Sequence, residues 1–144
     1  MGSGLKRKDL QARSTATFED SLFLLRNKRY SNAYYLSGYS VEIGLKACIA
    51  KQICAETIPD EDFMDRNRGI MTHDFSRLVG LAGLQRELKD AQNNDAIFGA
   101  NWAIVNEWHP RFRYETKDPM SAQLIVAAIG DENSGVMQWI RKHW

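Results

Sequence analysis

The chain has 144 residues, 44% hydrophobic and 26% charged, which is the composition of one folded domain with its own core and excludes a long disordered tail. A formal net charge of +1 gives no bulk attraction for nucleic acid, so such a partner would require a local basic patch. No apolar run reaches about eighteen residues and no basic-then-apolar leader occurs, so neither a spanning helix nor a secretory signal is expected, and a cytoplasmic protein is.

Residues 1–4, Met-Gly-Ser-Gly, read as a flexible start or a cloning remnant, and 5–144 as a single helical domain. Over 5–27, Leu10, Phe18, Leu22 and Leu25 recur at helical intervals among Lys, Arg, Asp and Glu, which predicts a first amphipathic helix. Ser31 is a candidate cap for a second helix over 31–55, a stretch without proline. Within it Ala33, Ser37, Ser40, Gly44 and Ala47 form a seam of small side chains that lets another helix approach closely. Tyr34, Val41, Leu45 and Cys48 run beside that seam, and Tyr35, Tyr39, Ile49 and Ile53 form a third stripe. A helix covered on several sides belongs at the centre of a bundle. Cys48 and Cys54 fall on different faces of this helix, where they pair poorly, so reduced thiols are expected.

The pattern dissolves over 56–72, ETIPDEDFMDRNRGIMT, which reads as a long irregular connection of the kind that often carries function. Phe75, Leu78, Val79 and Ala82 restore the period for a short third helix; Gly80 and Gly83 weaken its end, and Leu84 and Leu88 continue it after a break. Ile97, Ala100, Ile104 and Trp108 mark a fourth helix, stopped by Pro110. WHPRFRYETKDP reads as a loop, and Asp118 with Pro119 has the chemistry of a helix start. Leu124, Ile125, Ala128, Ile129, Val136, Ile140 and Trp144 predict one long last helix, its register carried across GDENSG, rather than two helices broken at Gly130 and Gly135. No strand-like alternation and no repeat of fixed period occurs, so the expected fold is all-α, an antiparallel bundle of four to five main helices.

The stretch AYYLSGYSVEIGLKACIAK resembles the long helix of HEPN-superfamily proteins, in which small residues lead into a Glu and then Leu-Lys-Ala, here Glu42, Leu45, Lys46 and Ala47. HDFSRLVGLAGL, from His73 to Leu84, is similar to the His-Asp-Leu segment that follows the loop in many members. NWAIVNEWHPRFRYE and SGVMQWIRKHW resemble small stand-alone prokaryotic members, and together these stretches cover most of the chain after the first helix. The resemblance implies a HEPN-like bundle, commonly a homodimer, in a superfamily that includes RNA-cutting toxins, phage-defence proteins, partners of small nucleotidyltransferases, and binding modules. It does not fix the activity.

Metal-independent RNA cleavage in that superfamily is tied to an Arg, usually followed by a polar residue, with a His a few positions on. Arg66, Asn67 and His73 satisfy that order, as do Arg68 and His73. In catalytic members the motif lies in a late helix facing the dimer partner, whereas here it spans a loop and the start of the third helix. The structural alternative has His73 and Asp74 begin that helix, with Arg66 and Arg68 as solvated charges.

A second constellation is Trp108, His109, Arg111, Arg113, Tyr114 and Glu115. In the binding reading Arg111 and Arg113 hold phosphate, Trp108 or Tyr114 stacks on a base, His109 adds a proton donor or acceptor, and Glu42 orients one arginine. In the structural alternative Trp108 and Tyr114 pack into the bundle and Arg113 pairs with Glu42. Glu42 and Lys46 stand at ion-pair spacing, worth about 0.2–0.5 kcal/mol if exposed; a buried Glu42 must find a cationic or hydrogen-bonding partner. The basic clusters at Lys6–Lys8, Arg26–Arg29 and Arg141–His143 read as solvated helix ends.

No metal-ligand spacing predicts a metal site, and no phosphate loop or dinucleotide fingerprint predicts a cofactor. Three functions are therefore expected to compete. The first is a homodimer that binds RNA, a nucleotide or a nucleotide-bearing partner such as a nucleotidyltransferase, in prokaryotic defence or a toxin–antitoxin setting. The second is a metal-independent endoribonuclease using His73 with Arg66 or Arg68. The third is a non-catalytic structural or protein-interaction module.

Overall fold

A computed structural model of the chain describes residues 6–52 and 72–144, and these are helical throughout their regular structure. The described helices are α1 (Arg7–Arg26), α2 (Tyr30–Gln52), α3 (Phe75–Leu81), α4 (Gln85–Asn94) and α5 (Ala96–Val105). A short 3-10 helix (Pro110–Tyr114) then leads to α6 (Pro119–Gly130) and α7 (Val136–Arg141). The expected residues 1–4, the end of the second helix, most of the irregular connection, Cys54, Arg66 and Arg68 lie outside the described residues.

The first two helices form an antiparallel hairpin. Leu10 packs with Ile43 and Ala47, while the Ser14 hydroxyl donates to the Ser40 carbonyl at 2.8 Å, so partners run in opposite order along the two helices. The small-residue seam makes this approach possible: Ala33, Ser37, Ser40, Gly44 and Ala47 are all buried. A Cβ added to Gly44 would stand 3.0 Å from the Ile140 side chain and 3.1 Å from the Ser14 hydroxyl. Between the helices Lys28 takes the left-handed conformation, φ 61°, with Lys28 N–H bonded to Leu25 O and Arg29 N–H to Leu24 O. This is the Schellman arrangement, which satisfies the last carbonyls of α1. Ser31 does not cap α2; it lies inside the helix, and its hydroxyl accepts from the Lys117 N–H at 2.9 Å.

α2 is the central element, with α1, α3, α6, α7 and the 3-10 helix packed around it. From Ser37 to Ile49 nearly every residue is buried, which accounts for the apolar or small side chains on most of its circumference. Glu42, in the middle of that span, is the one charged residue among its buried positions.

Two expectations from apolar spacing are corrected. The fourth predicted helix, α5, ends at Val105 and buries Phe98, Trp102 and Val105, while Ile97 is 63% exposed and Ala100 is exposed as well. The larger rings decide which face turns inward, since Phe98 and Trp102 both pack against Trp139. Trp108 is not part of this helix.

The long last helix is in fact two, α6 and α7. Asp131 ends the first of them, its carboxylate accepting from Asn133 N–H at 2.9 Å and Ser134 N–H at 2.6 Å in a side-chain-bonded turn. A Cβ on Gly135 would fall 2.4 Å from the Asp131 carbonyl, so the turn requires glycine there. Ile125, Ile129, Val136 and Ile140 are nonetheless all fully buried, on the two sides of the turn. The described residues therefore carry seven α-helices, several of them short, beside the expected four to five main ones. None of the described helices is long and apolar enough to cross a membrane.

Candidate functional site

The site begins with a buried carboxylate. Glu42 is 2% exposed, and removing a carboxylate from water costs several kcal/mol unless its oxygens are paired. Both are: Oε2 accepts from Lys46 Nζ at 3.1 Å one helical turn along α2, and Oε1 meets His73 Nδ1 at 2.6 Å from outside the helix. The expected pairing of Glu42 with Arg111 or Arg113 does not occur; the partners of its two oxygens are His73 and Lys46. Glu42 is thus the anchor of a histidine rather than of an arginine.

Local chemistry brings His73 to that position. Asp74 caps α3, its carboxylate accepting from Arg77 N–H at 3.2 Å, and Asp74 N–H in turn donates to the Thr72 hydroxyl. Phe75, the first residue of α3, is 2% exposed and stacks on Trp108 with ring centroids 5.5 Å apart. The segment 72–75 is therefore held by a cap, a hydrogen bond to Glu42 and an aromatic contact.

Trp108 is itself buried. Its indole lies over Gly38, where an added Cβ would come within 2.1 Å of the ring, and its Nε1–H donates to the Tyr35 carbonyl at 3.2 Å. With one face on Phe75 and its ring tilted against Tyr35, Trp108 is not free to stack on a base, and that expectation is corrected. Its place is structural: it fixes the chain just before His109.

The stretch read as a loop contains the 3-10 helix, begun by His109 and Pro110 in the same way that Asp118 and Pro119 begin α6. His109 is extended, as the residue before a proline tends to be, and its Nδ1 accepts from the Arg111 N–H at 3.1 Å. The 3-10 helix is tied to α2 by Phe112, edge-on to Tyr34 at 5.7 Å, and by Lys117, whose ammonium lies 3.7 Å from the Phe112 ring centroid. The backbone there is well fixed although it is not α-helical.

His73, His109 and Arg111 converge on one cleft of about 540 Å³, which Thr72, Phe75, Trp108 and Glu107 also line. His73 has half of its side-chain surface exposed, so the ring is anchored at one nitrogen and open to solvent on another side. Lys46 stands behind Glu42 and is not part of the wall. Arg113 packs over the Tyr114 ring at 4.8 Å, and bonding to the Tyr114 and Tyr35 side chains raises its guanidinium pKa further. Tyr114 is 79% exposed and does not pack into the bundle. The two arginines expected to act as a pair are therefore separated in role.

Compared with family models, curated proteins and solved structures, the chain matches none.

Sequence reasoning named His73, His109, Arg111 and Glu42 but placed them in two unrelated constellations; what it missed is that Phe75 and Trp108 join those constellations. The signal available was His-Pro at 109–110, which has the same cap-then-proline form as Asp118–Pro119 and marks an ordered helix start inside the apparent loop. Among the described residues, no group of three or more His, Cys, Asp or Glu side chains gathers as metal ligands would.

Proposed function

We propose that the chain binds RNA at the cleft between the α3 start and the 3-10 helix, with Arg111 on a phosphate. The observation that carries this reading is the convergence of His73, His109 and Arg111 on one open cleft from segments far apart in sequence. A guanidinium presents a planar fork suited to phosphate oxygens, and imidazole rings add hydrogen bonds to the same group. Tyr114, three residues after Arg111 in the chain, is exposed with Arg113 over its ring and offers a surface on which an unpaired base can stack.

This reading agrees with the HEPN-like character of the sequence, supported by the all-helical architecture and by a small-residue central helix that carries Glu42 and Lys46. A homodimer acting in prokaryotic defence or a toxin–antitoxin setting, alone or with a nucleotidyltransferase partner, follows from the same resemblance.

A metal-independent ribonuclease is the second reading, and the Glu42–His73 contact favours it. A histidine held by a buried carboxylate on an open cleft is how proton-transfer groups are oriented in acid–base sites. Arg111 supplies a cation in the cleft, and Arg66 and Arg68, the cations expected for this reading, lie outside the described residues.

Fluorescence anisotropy with a short single-stranded RNA across a salt series tests the binding reading. Arg111→Ala should weaken binding and lower the slope of log K against log salt by about 0.7, one phosphate contact on a single strand. Equal affinity and slope in wild type and Arg111→Ala would remove the cleft from consideration.

A further inference from the structure

The wall of the cleft is short of positive charge for an anion site. Among the described residues that line it, Asp74 and Glu107 are acidic and Arg111 is the one guanidinium, so with both imidazoles neutral the wall holds one net negative charge. Behind the wall Glu42 and Lys46 form an ion pair and cancel. Arg77, whose N–H bonds the Asp74 carboxylate, is exposed on α3 and does not line the cleft. A phosphate entering the cleft therefore meets one cation and two carboxylates, unless an imidazole takes a proton.

The two histidines differ in whether they can do so without losing a bond. The Glu42 carboxylate can only accept, so His73 Nδ1 carries a hydrogen in the 2.6 Å contact, and Nε2 is the nitrogen left to take a second proton. The imidazolium so formed keeps the Glu42 bond as a charge-assisted one, and half of the His73 side-chain surface stays open to solvent or ligand. At His109 the donor is the Arg111 backbone N–H, so Nδ1 holds a lone pair and the ring hydrogen is on Nε2. A second proton on that Nδ1 would set two hydrogens against each other and break the bond that begins the 3-10 helix.

We infer, on the basis of the proposed RNA-binding cleft, that His73 holds the RNA phosphate as an imidazolium, through Nε2–H, and His109 as a neutral donor, so that one proton is taken up with the strand. That proton cancels the net negative charge of the wall, and the phosphate then meets two cations, Arg111 and His73. Glu42 is the positioning residue of His73: it fixes Nδ1 as a donor and leaves Nε2 for the ligand. The sign follows from linkage. The protonated ring binds phosphate more tightly than the neutral one, so affinity falls as pH rises through the range in which imidazole loses its proton. Bound RNA, reciprocally, raises the pH at which His73 loses it.

The test is fluorescence anisotropy of the full chain with a short 2′-O-methyl RNA strand from about pH 6 to about pH 8.5, a range in which ordinary carboxylates stay ionised. Circular dichroism at each pH checks that the fold is kept. Wild-type affinity should fall about tenfold over that range, the effect of about one charge-assisted contact. His73→Gln keeps an amide N–H for Glu42 and cannot take a proton; it should bind at the weak, high-pH level throughout. His109→Asn keeps a side-chain acceptor for the Arg111 N–H and should retain the pH dependence. Glu42→Gln removes the charge that faces the imidazolium and should move the fall in affinity to lower pH, which a purely structural role would not do. In NMR titrations of wild type, the His73 ring should lose its proton at higher pH with the strand bound than without it. A wild-type affinity independent of pH, or a fall retained in full by His73→Gln, would overturn the inference and leave the binding reading standing. Absence of binding at every pH would remove the binding reading, and the inference with it.

Discussion

Phe75 lies flat on Trp108, ring centroids 5.5 Å apart and planes 3° from parallel. Phe75 stands just after His73 and Trp108 just before His109, so this one contact joins the two segments that bring the histidines to the cleft. Phe75→Ala should destabilise the fold by about 3–5 kcal/mol, the usual range for truncating a buried aromatic ring. Phe75→Leu should keep the fold and still weaken RNA binding, because a branched side chain cannot reproduce the parallel stack. Urea unfolding measures the first effect and anisotropy the second.

Gly38 is the other support of Trp108. A methyl group there would overlap the indole, so Gly38→Ala forces the ring away from Tyr35 and should cost about 1–3 kcal/mol. Near-UV circular dichroism should change along with stability. An unchanged aromatic spectrum would mean that Trp108 is held by other contacts.

Lys28 has a left-handed backbone, φ 61°, in the turn between α1 and α2. Glycine adopts this conformation without the clash that a Cβ suffers there. Lys28→Gly should therefore raise stability, by about 1 kcal/mol, with an increase in Tm on thermal unfolding. A lower Tm would show that the Lys28 side chain makes a contribution that outweighs the backbone cost.

Asp95 couples two parts of the bundle. It caps α5 through Ile97 N–H and Phe98 N–H, and it accepts from the Ser134 hydroxyl at 2.7 Å. The Ser134 bond first, then the cap, holds its carboxyl below the ordinary value of 3.8. A carboxyl lowered in the folded state adds stability above its unfolded pKa and loses that contribution as pH falls through the folded value. Stability should thus drop as pH falls below about 4. Ser134→Ala should lower stability at neutral pH and make the drop on the acid side shallower, as followed by denaturant titrations at several pH values.

Much of the fold was legible because apolar spacing reports directly on burial. The α2 seam of Ala33, Ser37, Ser40, Gly44 and Ala47 could be read from side-chain size alone, as could the caps at Asp74 and Asp118. α5 was misread because two sets of apolar residues share a helical period there, and spacing does not say that Phe98 and Trp102 will outcompete Ile97. The last helix was misread because its buried register continues through a turn that only Asp131 and Gly135 reveal.

The candidate site was legible as residues and not as an arrangement. Burial of Glu42 demands a partner, but nothing local distinguishes Arg113 from His73, which is distant in sequence and is brought in by Phe75 packing on Trp108. Aromatic character alone likewise does not separate Trp108, enclosed by Gly38, Tyr35 and Phe75, from Tyr114, which is exposed.

The most direct test of the cleft as the RNA site is an NMR titration of the labelled protein with a short 2′-O-methyl RNA, following the histidine rings, the tryptophan indole N–H signals and the arginine side chains. Binding at the cleft should shift the His73, His109 and Arg111 signals first and together, with Trp108 responding through its contact with Phe75. Shifts confined to the basic helix ends, such as Arg141 and Lys142, with the two cleft histidines unmoved, would contradict it.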